Sequence, residues 1–358
     1  MKAAQASGYG APNDVLTVTD GAKKPALAAL KEGGKGKLLL RTLACSLSPS
    51  DYRMLSGDAR LIKKPRGGFP YIPGGDVCGE VLEAGPDVTK FSDGDTVVAT
   101  WSVFGQGGLA EFCVVDAALA VRKPKRLTAA EGAAMANSAG HAVQALREAV
   151  VVTGNRVLIL GGGGGVGTAL VQLAKRAGAA YVATTSTNGE LLRSLGADRV
   201  INHTKEDWAA VPEFAAEPFD VIIDCAEGRR AWLAATHKKA GSGARLLAPN
   251  GRFLAVVLND WHMKVTNPAH MATLLAPPFA RQMGNTLWPF GPRYKMFLGG
   301  VDGKRLQEVA DLVAAGDLKI VVDPKGPFEL TEAGVRAAFE LHESRRGQGK
   351  VVITVAEC

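Results

Sequence analysis

A glycine-rich run between an apolar segment and a helical segment constrains the fold of this chain most. Residues 161–167 read Gly-Gly-Gly-Gly-Gly-Val-Gly and follow the continuous apolar segment 157–160 directly. Gly162, Gly164 and Gly167 fit the spacing G-x-G-x-x-G, and a helix is predicted over 166–177. Glycines at these positions permit a tight turn and close packing of the helix on the strand. The run therefore predicts the first strand–turn–helix unit of an α/β domain.

Strands and helices continue to alternate after this unit. A helix is predicted over 190–195, and strands are predicted at 181–185, 199–201, 220–224 and 252–257. Continuous apolar strands are typical of a parallel sheet that is buried on both faces. The sequence therefore predicts a doubly wound parallel sheet, with an edge strand over 293–298.

Two other regions are interpreted from their helix and turn signals. Before the sheet, Thr128 and Glu131 suggest a capped helix through residue 137, and a separate helix is predicted over 141–149. After it, the prolines of residues 258–292 predict loops and one short helix.

The first third of the chain has a different pattern. Residues 36–125 contain short apolar or alternating segments at 36–43, 77–83, 95–99 and 110–115, separated by glycine- and aspartate-rich turns. Closely spaced short strands of this kind predict a barrel-like antiparallel domain.

The glycine turn also points to a ligand. Amides at the start of a helix and the helix dipole attract an anion, and missing side chains let the backbone approach a pyrophosphate. No lysine follows Gly167, which excludes a phosphate loop of the NTPase type. We therefore expect a dinucleotide to be held by Gly162, Gly164, Gly165, Val166 and Gly167. A glycine-rich turn without a ligand is the alternative.

The end of the second predicted strand bears on which dinucleotide binds. Proteins that bind NAD usually place an acidic residue there, whereas residues 184–189 read Thr-Thr-Ser-Thr-Asn-Gly. An acid would repel a 2′-phosphate, and hydroxyl groups can donate to it. We predict NADPH as the cofactor, with its 2′-phosphate contacted by Thr185, Ser186, Thr187, Arg193 and His203.

Composition excludes several other classes of protein. The 358 residues are 47% hydrophobic and no apolar run is long enough to span a bilayer, so we expect a cytoplasmic protein of two domains without integral membrane association. An organellar or peripheral membrane location stays open. Aromatic residues make up 6% and do not alternate with the basic residues behind the net charge of +7, so no nucleic-acid partner is expected. The five cysteines form no CxxC pair and indicate reduced thiols.

Several segments in order resemble one enzyme family. The chain is similar to medium-chain dehydrogenases/reductases, and more narrowly to their zinc-free quinone oxidoreductase-like branch. The segments that carry the resemblance are 49–57 (PSDYRMLSG), 69–81 (FPYIPGGDVCGEV), 91–97 (FSDGDTV), 108–112 (GLAEF), 164–167 (GGVG) and 195–198 (LGAD).

The resemblance implies a GroES-like catalytic domain at 1–126, an NADPH-binding Rossmann domain at 127–318, and a return to the catalytic domain at 319–358. It implies an active site in the cleft between them, with Cys225, Ala226 and Val256 beside the nicotinamide. It also implies a homodimer in which the edge strand near residues 294–298 pairs with its copy.

The resemblance also implies that no zinc is bound. The positions at which zinc-dependent relatives carry ligands are occupied here by Ser48, Gly75, Asp76 and Asn137, and this set lacks thiolates and imidazoles. The branch usually has asparagine at the position of Ser48, threonine at that of His141 and tyrosine at that of His203.

The expected reaction is hydride transfer from NADPH to a quinone or to the activated C=C bond of an α,β-unsaturated carbonyl compound. Ser48 and Tyr52 could donate hydrogen bonds to the acceptor oxygen, and His141 could contact the nicotinamide or the substrate. For each of these three residues a packing role is the alternative. Two other functions stay open: a 2-enoyl-thioester reductase, and a nucleotide-binding protein with little catalysis that is structural or binds RNA.

Overall fold

The computed structural model describes residues 1–62, 64–65, 67–100, 106–237, 245–258, 264–287, 290–300 and 302–356. The chain divides into two compact units, Met1–Gly140 with Val301–Cys358, and His141–Gly300. Residues 127–140 and 301–318 group with the first unit, whereas the sequence-based boundaries at 126 and 318 assign them to the second. The domain boundaries at 126 and 318 therefore stay a prediction.

The described secondary structure alternates strands and helices in the second unit, whereas the first unit has several strands in succession without an α-helix between them. The strands are β1 (Ala3–Ala6), β2 (Leu16–Thr19), β3 (Lys37–Ser46), β4 (Asp76–Ala84), β5 (Thr96–Thr100), β6 (Phe112–Asp116), β7 (Ala120–Arg122), β8 (Arg156–Leu160), β9 (Tyr181–Thr185), β10 (Arg199–Ile201), β11 (Phe219–Asp224), β12 (Leu247–Ala255), β13 (Arg293–Met296), β14 (Phe328–Glu329) and β15 (Val352–Thr354). The α-helices are α1 (Pro12–Val15), α2 (Pro49–Ser56), α3 (Ala129–Ala149), α4 (Gly165–Arg176), α5 (Gly189–Ser194), α6 (Pro212–Ala216), α7 (Arg229–Thr236), α8 (Pro268–Leu287), α9 (Gly303–Ala315) and α10 (Glu332–Ser344).

The second unit is built on a six-stranded parallel sheet. Its order is β10-β9-β8-β11-β12-β13, so the chain moves outward from β8 in one direction and then restarts at β11 on the other side of it. The central strands are buried on both faces, and Leu158, Ile222 and Phe253 belong to the core around them. This order is that of a doubly wound dinucleotide-binding sheet, in which ligands bind at the carboxyl ends of the strands where the order reverses.

The first unit is built on mostly antiparallel strands. Its main sheet has the order β14-β15-β3-β4-β5-β7, and β6 pairs with the first half of β3. Strand β15 comes from the end of the chain and pairs with β3, so the return segment is hydrogen-bonded into the N-terminal sheet. The apolar side chains of these strands, such as Leu40, Val77 and Ile353, share one core. The predicted fold class, a GroES-like β-rich domain plus a doubly wound parallel sheet, is confirmed.

The prediction of two helices across residues 128–149 is wrong. The structure has a single helix, α3, which continues through the Asn-Ser-Ala-Gly sequence at 137–140 where a break was expected. Ala136, Ala139, Ala142 and Val143 are all buried along this stretch. Burial of this apolar stripe outweighs the weak helix propensity of glycine and asparagine.

The prediction of loops with one short helix over 258–292 is also wrong for the described part of that region. Helix α8 occupies residues 268–287 and contains Pro277 and Pro278 in its interior. Asn267 caps its first turn by accepting the His270 amide at 2.9 Å. Residues 259–263 and 288–289 lie outside the described part of the chain. Among the described helices, none is both long and apolar enough to cross a bilayer.

A buried lysine links the return segment, residues 319–356, to the N-terminal part of the first unit. The Lys350 ammonium donates to the Leu47 carbonyl at 2.7 Å and lies 3.4 Å from the Asp76 carboxylate. Both side chains are buried, and burial raises the pKa of Asp76 while the nearby lysine lowers it. A buried ion pair of this kind is costly to break from one side, because the remaining charge is left without its partner.

We expect Lys350→Met to lower the free energy of unfolding by about 3–5 kcal/mol, because Asp76 keeps its buried carboxylate and loses its counter-charge. The double variant K350M/D76N should recover most of that loss, since it removes both charges. Urea denaturation followed by circular dichroism measures both values. A double variant as unstable as K350M would show that the Lys350 bond to the Leu47 carbonyl, and not the ion pair, is the stabilising contact.

Candidate functional site

The glycine turn begins where β8 ends. Gly161 has a φ of 82°, in the left-handed region that favours glycine. Its amide donates to the Thr185 hydroxyl at 2.8 Å, and the Gly162 amide donates to the Thr185 carbonyl at 3.0 Å. These two bonds join the turn after β8 to the end of β9.

Two of the glycines have no room for a side chain. A Cβ added to Gly162 would lie 1.9 Å from the Thr184 hydroxyl oxygen, and a Cβ added to Gly167 would lie 2.2 Å from the Gly161 carbonyl oxygen. The first contact shows that the turn packs directly on β9, and the second shows that α4 packs directly on the turn. Both explain why glycine is needed here whether or not a ligand binds.

The N-terminus of α4 directly follows this turn. Its N-cap is Gly164, which provides no side chain to cap the first amides. The first amides of an α-helix have no acceptor within the helix, so those of Gly165, Val166 and Gly167 remain available to an anion. The described residues at this site therefore fit the pyrophosphate of a dinucleotide.

The hydroxyl residues at the end of β9 have different surroundings. Thr185 and Ser186 are buried, and Thr187 is exposed. Thr185 accepts the Gly161 amide, so its oxygen positions the turn, and the Ser186 hydroxyl oxygen accepts the Asn188 amide at 3.1 Å. Thr187 is therefore the predicted hydroxyl residue of this group that is open to solvent.

The two candidate cations lie beyond the ends of neighbouring strands. Thr185 of β9 is the register partner of Ile201 in β10, and His203 follows Ile201 by two residues. The Arg193 guanidinium folds back over the first turn of α5, with a nitrogen 3.0 Å from the position that a Cβ at Gly189 would take. Both cations are exposed.

A second loop meets the glycine turn at the point where the strand order reverses. The Cys225 amide donates to the Leu160 carbonyl at 3.0 Å, and the Ala226 Cβ lies 3.1 Å from the position that a Cβ at Gly161 would take. The Val256 amide donates to the Asp224 carbonyl at 2.9 Å. The structure thus brings Cys225, Ala226 and Val256 to the carboxyl ends of β8, β11 and β12, where the glycine turn lies.

Asp224 has a structural role in this loop that was not predicted from the sequence. It is the last residue of β11, its side chain is completely buried, and its carboxylate accepts the amides of Ala226, Glu227 and Gly228. An acidic residue directly after the buried apolar run 221–223 was the available signal, because a buried carboxylate needs several donors.

His141 lies in the same unit as the glycine turn. Its ring contacts Phe297 edge-to-face at a centroid distance of 5.6 Å, and its Nε2 atom lies 2.7 Å from the position that a Cβ at Gly299 would take. These contacts place the imidazole against the segment that follows β13.

Ser48 and Tyr52 lie in the first unit, one turn apart on α2. Ser48 is the N-cap, and both its amide and its hydroxyl donate to the Asp51 carboxylate, at 2.7 and 2.8 Å. The other oxygen of Asp51 accepts the Gly74 amide at 2.8 Å. The hydroxyl proton of Ser48 is therefore directed at Asp51, and its oxygen keeps a lone pair with which to accept a further hydrogen bond.

Tyr52 is half-buried and its hydroxyl interacts with an acidic residue of α10. Burial raises the pKa of the Tyr52 phenol, and a hydrogen bond to Glu343 and the negative charge of Asp58 raise it further. The phenol therefore stays protonated at neutral pH and can donate a proton but not remove one. No signal in the sequence pointed to Glu343, because its place beside Tyr52 depends on the fold.

The residues at the expected zinc positions do not suit that metal. Gly75 has no side chain, Ser48 is bonded to Asp51, and Asp76 is paired with Lys350. Across the part of the chain that the structure describes, no group of three or more histidine, cysteine or acidic side chains is arranged to hold a metal ion. Zinc sites in proteins are built from such groups.

Two protein-family models match separate parts of the chain. The model of an alcohol dehydrogenase GroES-like domain matches residues 34–125, and the model of a zinc-binding dehydrogenase matches residues 195–353.

Similar proteins and structures cover nearly the full length. The chain is 32% identical to a 2-methylene-furan-3-one reductase of Solanum lycopersicum, over 99% of this chain and 79% of that protein. It is 30% identical to the chloroplastic quinone-oxidoreductase QR1 of Triphysaria versicolor, over 99% and 98% respectively. The structure of a quinone oxidoreductase from Coxiella burnetii matches with a TM-score of 0.75 and 26% identity over 99% of both chains. The chain therefore belongs to the medium-chain dehydrogenase/reductase superfamily, in its quinone oxidoreductase-like branch.

Proposed function

We propose that this protein is an NADPH-dependent reductase that transfers hydride to a quinone or to the activated C=C bond of an α,β-unsaturated carbonyl compound, without zinc. The observation that carries the proposal is the glycine turn. The first amides of the helix that follows it have no side-chain cap, and the neighbouring strand end carries hydroxyl groups and no acidic residue. Relatives named as a quinone oxidoreductase and a 2-methylene-furan-3-one reductase support an oxidoreductase activity of this kind.

The second unit supplies the residues that would hold NADPH. The amides of Gly165, Val166 and Gly167 would bind the pyrophosphate, because they lack acceptors within α4. The exposed Thr187, Arg193 and His203 would contact the 2′-phosphate, for which hydroxyl donors and cations are suited. When bound, NADPH would supply the hydride.

The first unit supplies the candidate acid. The Tyr52 phenol stays protonated and donates its proton to Glu343, so we assign it the role of hydrogen-bond donor or proton donor to the substrate oxygen once the substrate oxygen replaces Glu343 as its acceptor. Ser48 would orient the substrate through the lone pairs of its hydroxyl oxygen, since Asp51 accepts the hydroxyl proton. His141 is assigned a packing contact with bound cofactor or substrate, and no proton transfer is derived for it.

We further propose that the protein is a cytoplasmic homodimer. In the described residues, β13 ends the strand order of the parallel sheet, and an open edge strand is a template for pairing with another chain. Phe279, Met283 and Leu298 are exposed on α8 and just after β13, and a second copy would bury such residues. Light scattering coupled to gel filtration measures the oligomeric state, and a monomeric mass at micromolar concentration would contradict the proposed dimer.

The activity is tested by following the loss of NADPH absorbance with a panel of quinones, enones and 2-enoyl thioesters. Turnover of quinones or enones is the expected result. Preference for the thioesters would identify a 2-enoyl-thioester reductase, and tight NADPH binding without any turnover would favour a nucleotide-binding protein with little catalysis.

We expect Tyr52→Phe to lower kcat by about 100-fold with a small change in KM, because a positioned general acid contributes roughly 10²–10⁴ to a rate. Because burial and the hydrogen bond to Glu343 raise the pKa of Tyr52, loss of the phenol proton should lower the rate of the native enzyme only at a higher pH than an ordinary tyrosine would require. Tyr9→Phe is the matched control, since it removes an exposed phenol hydroxyl from the same unit. A Tyr52→Phe variant with native kcat would assign Tyr52 to the pocket wall.

We expect Thr187→Asp to weaken NADPH binding by about tenfold or more, because the introduced carboxylate would repel the 2′-phosphate that this exposed position is proposed to contact. NADH affinity should stay the same or improve. Thr187→Asn is the matched control of similar size, and its NADPH affinity should stay near that of the native protein. Fluorescence titration measures the dissociation constants. Equal NADPH affinity in the two variants would contradict the assignment of the 2′-phosphate to this strand end.

A further inference from the structure

The carboxylate of Asp224 accepts three backbone amides. Its Oδ1 atom accepts the amides of Ala226 at 2.9 Å and Glu227 at 2.8 Å, and its Oδ2 atom accepts the amide of Gly228 at 2.6 Å. The side chain has no solvent exposure. Three amides of consecutive residues on one carboxylate fix the shape of the loop at 225–228, because each bond restrains a different peptide unit.

The backbone of the same residue joins the neighbouring strand. Its carbonyl oxygen accepts the amides of Val256 at 2.9 Å and Val257 at 3.0 Å, just beyond the end of β12. The two residues that come after Asp224 reach the glycine turn, because the Cys225 amide bonds to the end of β8 and Ala226 packs against Gly161. Asp224 therefore contacts, directly or through one residue, the end of β8, the glycine turn and the segment after β12, at the carboxyl edge of the sheet where the proposed cofactor would bind.

We propose that Asp224 is a positioning residue for the cofactor. Its ionised carboxylate holds the loop at 225–228 in the conformation that packs against the glycine turn, and the affinity of the protein for the cofactor depends on that ionisation. This inference rests on the proposed binding of NADPH at the glycine turn. It assigns Asp224 no contact with the cofactor itself.

The charged and titratable groups around Asp224 set the pH at which this control operates. Burial raises the pKa of Asp224 to about 7, the three amides lower it, and the charge of Glu227 raises it. Cys225 follows it in the chain, and Tyr294 faces it from β13. Burial raises the pKa of both groups, so both stay neutral near pH 7, and Arg281 of α8 lowers that of Tyr294.

The direction of the effect depends on the protonation of Asp224. As the pH falls through about 7, Asp224 takes up a proton, and the protonated oxygen becomes a poorer acceptor for the loop amides. The loop is then held less firmly and NADPH affinity falls. The folded state also binds this proton more readily than the unfolded chain does. The contribution of Asp224 to global stability therefore decreases as the pH rises from the range in which an exposed aspartate ionises to about 7. Affinity and stability should therefore change in opposite directions over this interval.

The variant Asp224→Asn tests the proposal. The asparagine oxygen can still accept the amides of Ala226 and Glu227, but its amino group would face the Gly228 amide, which places one donor against another. We expect a dissociation constant for NADPH about tenfold higher than that of the native protein at pH 8, as is typical when a hydrogen bond to a charged group is lost. The dependence on Asp224 ionisation should disappear from its pH profile.

Asp220→Asn is the matched control. Asp220 lies on the same strand, β11, and its carboxylate also accepts a backbone amide, that of Arg156 at 2.8 Å. It is four residues before Asp224, at the other end of the strand, so its variant should keep the native pH profile. The titration of the 2′-phosphate is common to all three proteins, so the difference between their profiles isolates Asp224.

Fluorescence titration of NADPH from pH 6 to pH 9 measures these profiles. Native protein that binds neither NADPH nor NADH would refute the proposed function. Native protein that binds NADPH while Asp224→Asn binds equally tightly with the same profile would overturn only the role of Asp224. If the variant does not fold, amide hydrogen exchange of the 225–228 peptide in the native protein gives the answer: protection that falls below pH 7 supports the proposal, and constant protection overturns it.

Discussion

The close approach of three backbone segments around Gly161 and Gly162 is the constraint on which the second unit depends. With no space for a Cβ at Gly162 or Gly167, the end of β8 packs directly on β9 and on the start of α4. This contact leaves the first amides of α4 uncapped at the carboxyl edge of the sheet. The loop after β11 then packs on the same turn through Ala226. The shape of the site therefore results from backbone packing and depends little on long side chains.

Much of this arrangement could be predicted from the sequence because the signals are local. Continuous apolar segments such as 157–160 indicate buried parallel strands, and the glycine spacing indicates a tight turn into a helix after the first of them. The doubly wound sheet was predicted from such signals and the family from the resemblance of segments such as 49–57 and 69–81, and both predictions are confirmed. The β-rich first unit was predicted for the same reason, since turn residues recur between its short strands.

The parts that could not be predicted depend on tertiary contacts. The unbroken α3 is stabilised by buried Ala139 and Ala142, whose burial is a property of the folded chain, whereas the expected break relied on local propensity. Helix α8 contains Pro277 and Pro278 in its interior, although local propensity predicts that proline ends a helix. Within the site, the sequence identified hydroxyl residues but not their partners. Ser48 is bonded to Asp51, three positions along the chain, whereas Tyr52 interacts with Glu343, nearly the whole chain away.

The buried Lys350 has a consequence for how the chain is made. The Leu47 carbonyl and the Asp76 carboxylate belong to early segments, but the ammonium that satisfies them comes from the return segment. During synthesis on the ribosome these groups emerge long before Lys350, and residues 141–300 emerge completely in between. The second unit can therefore fold as a contiguous segment while the first still lacks strand β15, and in a nascent chain residues 44–46 of β3 would lack this partner strand until residues 352–354 have emerged. The unit that begins first in the sequence is thus the one whose last strand emerges after the whole of the other unit.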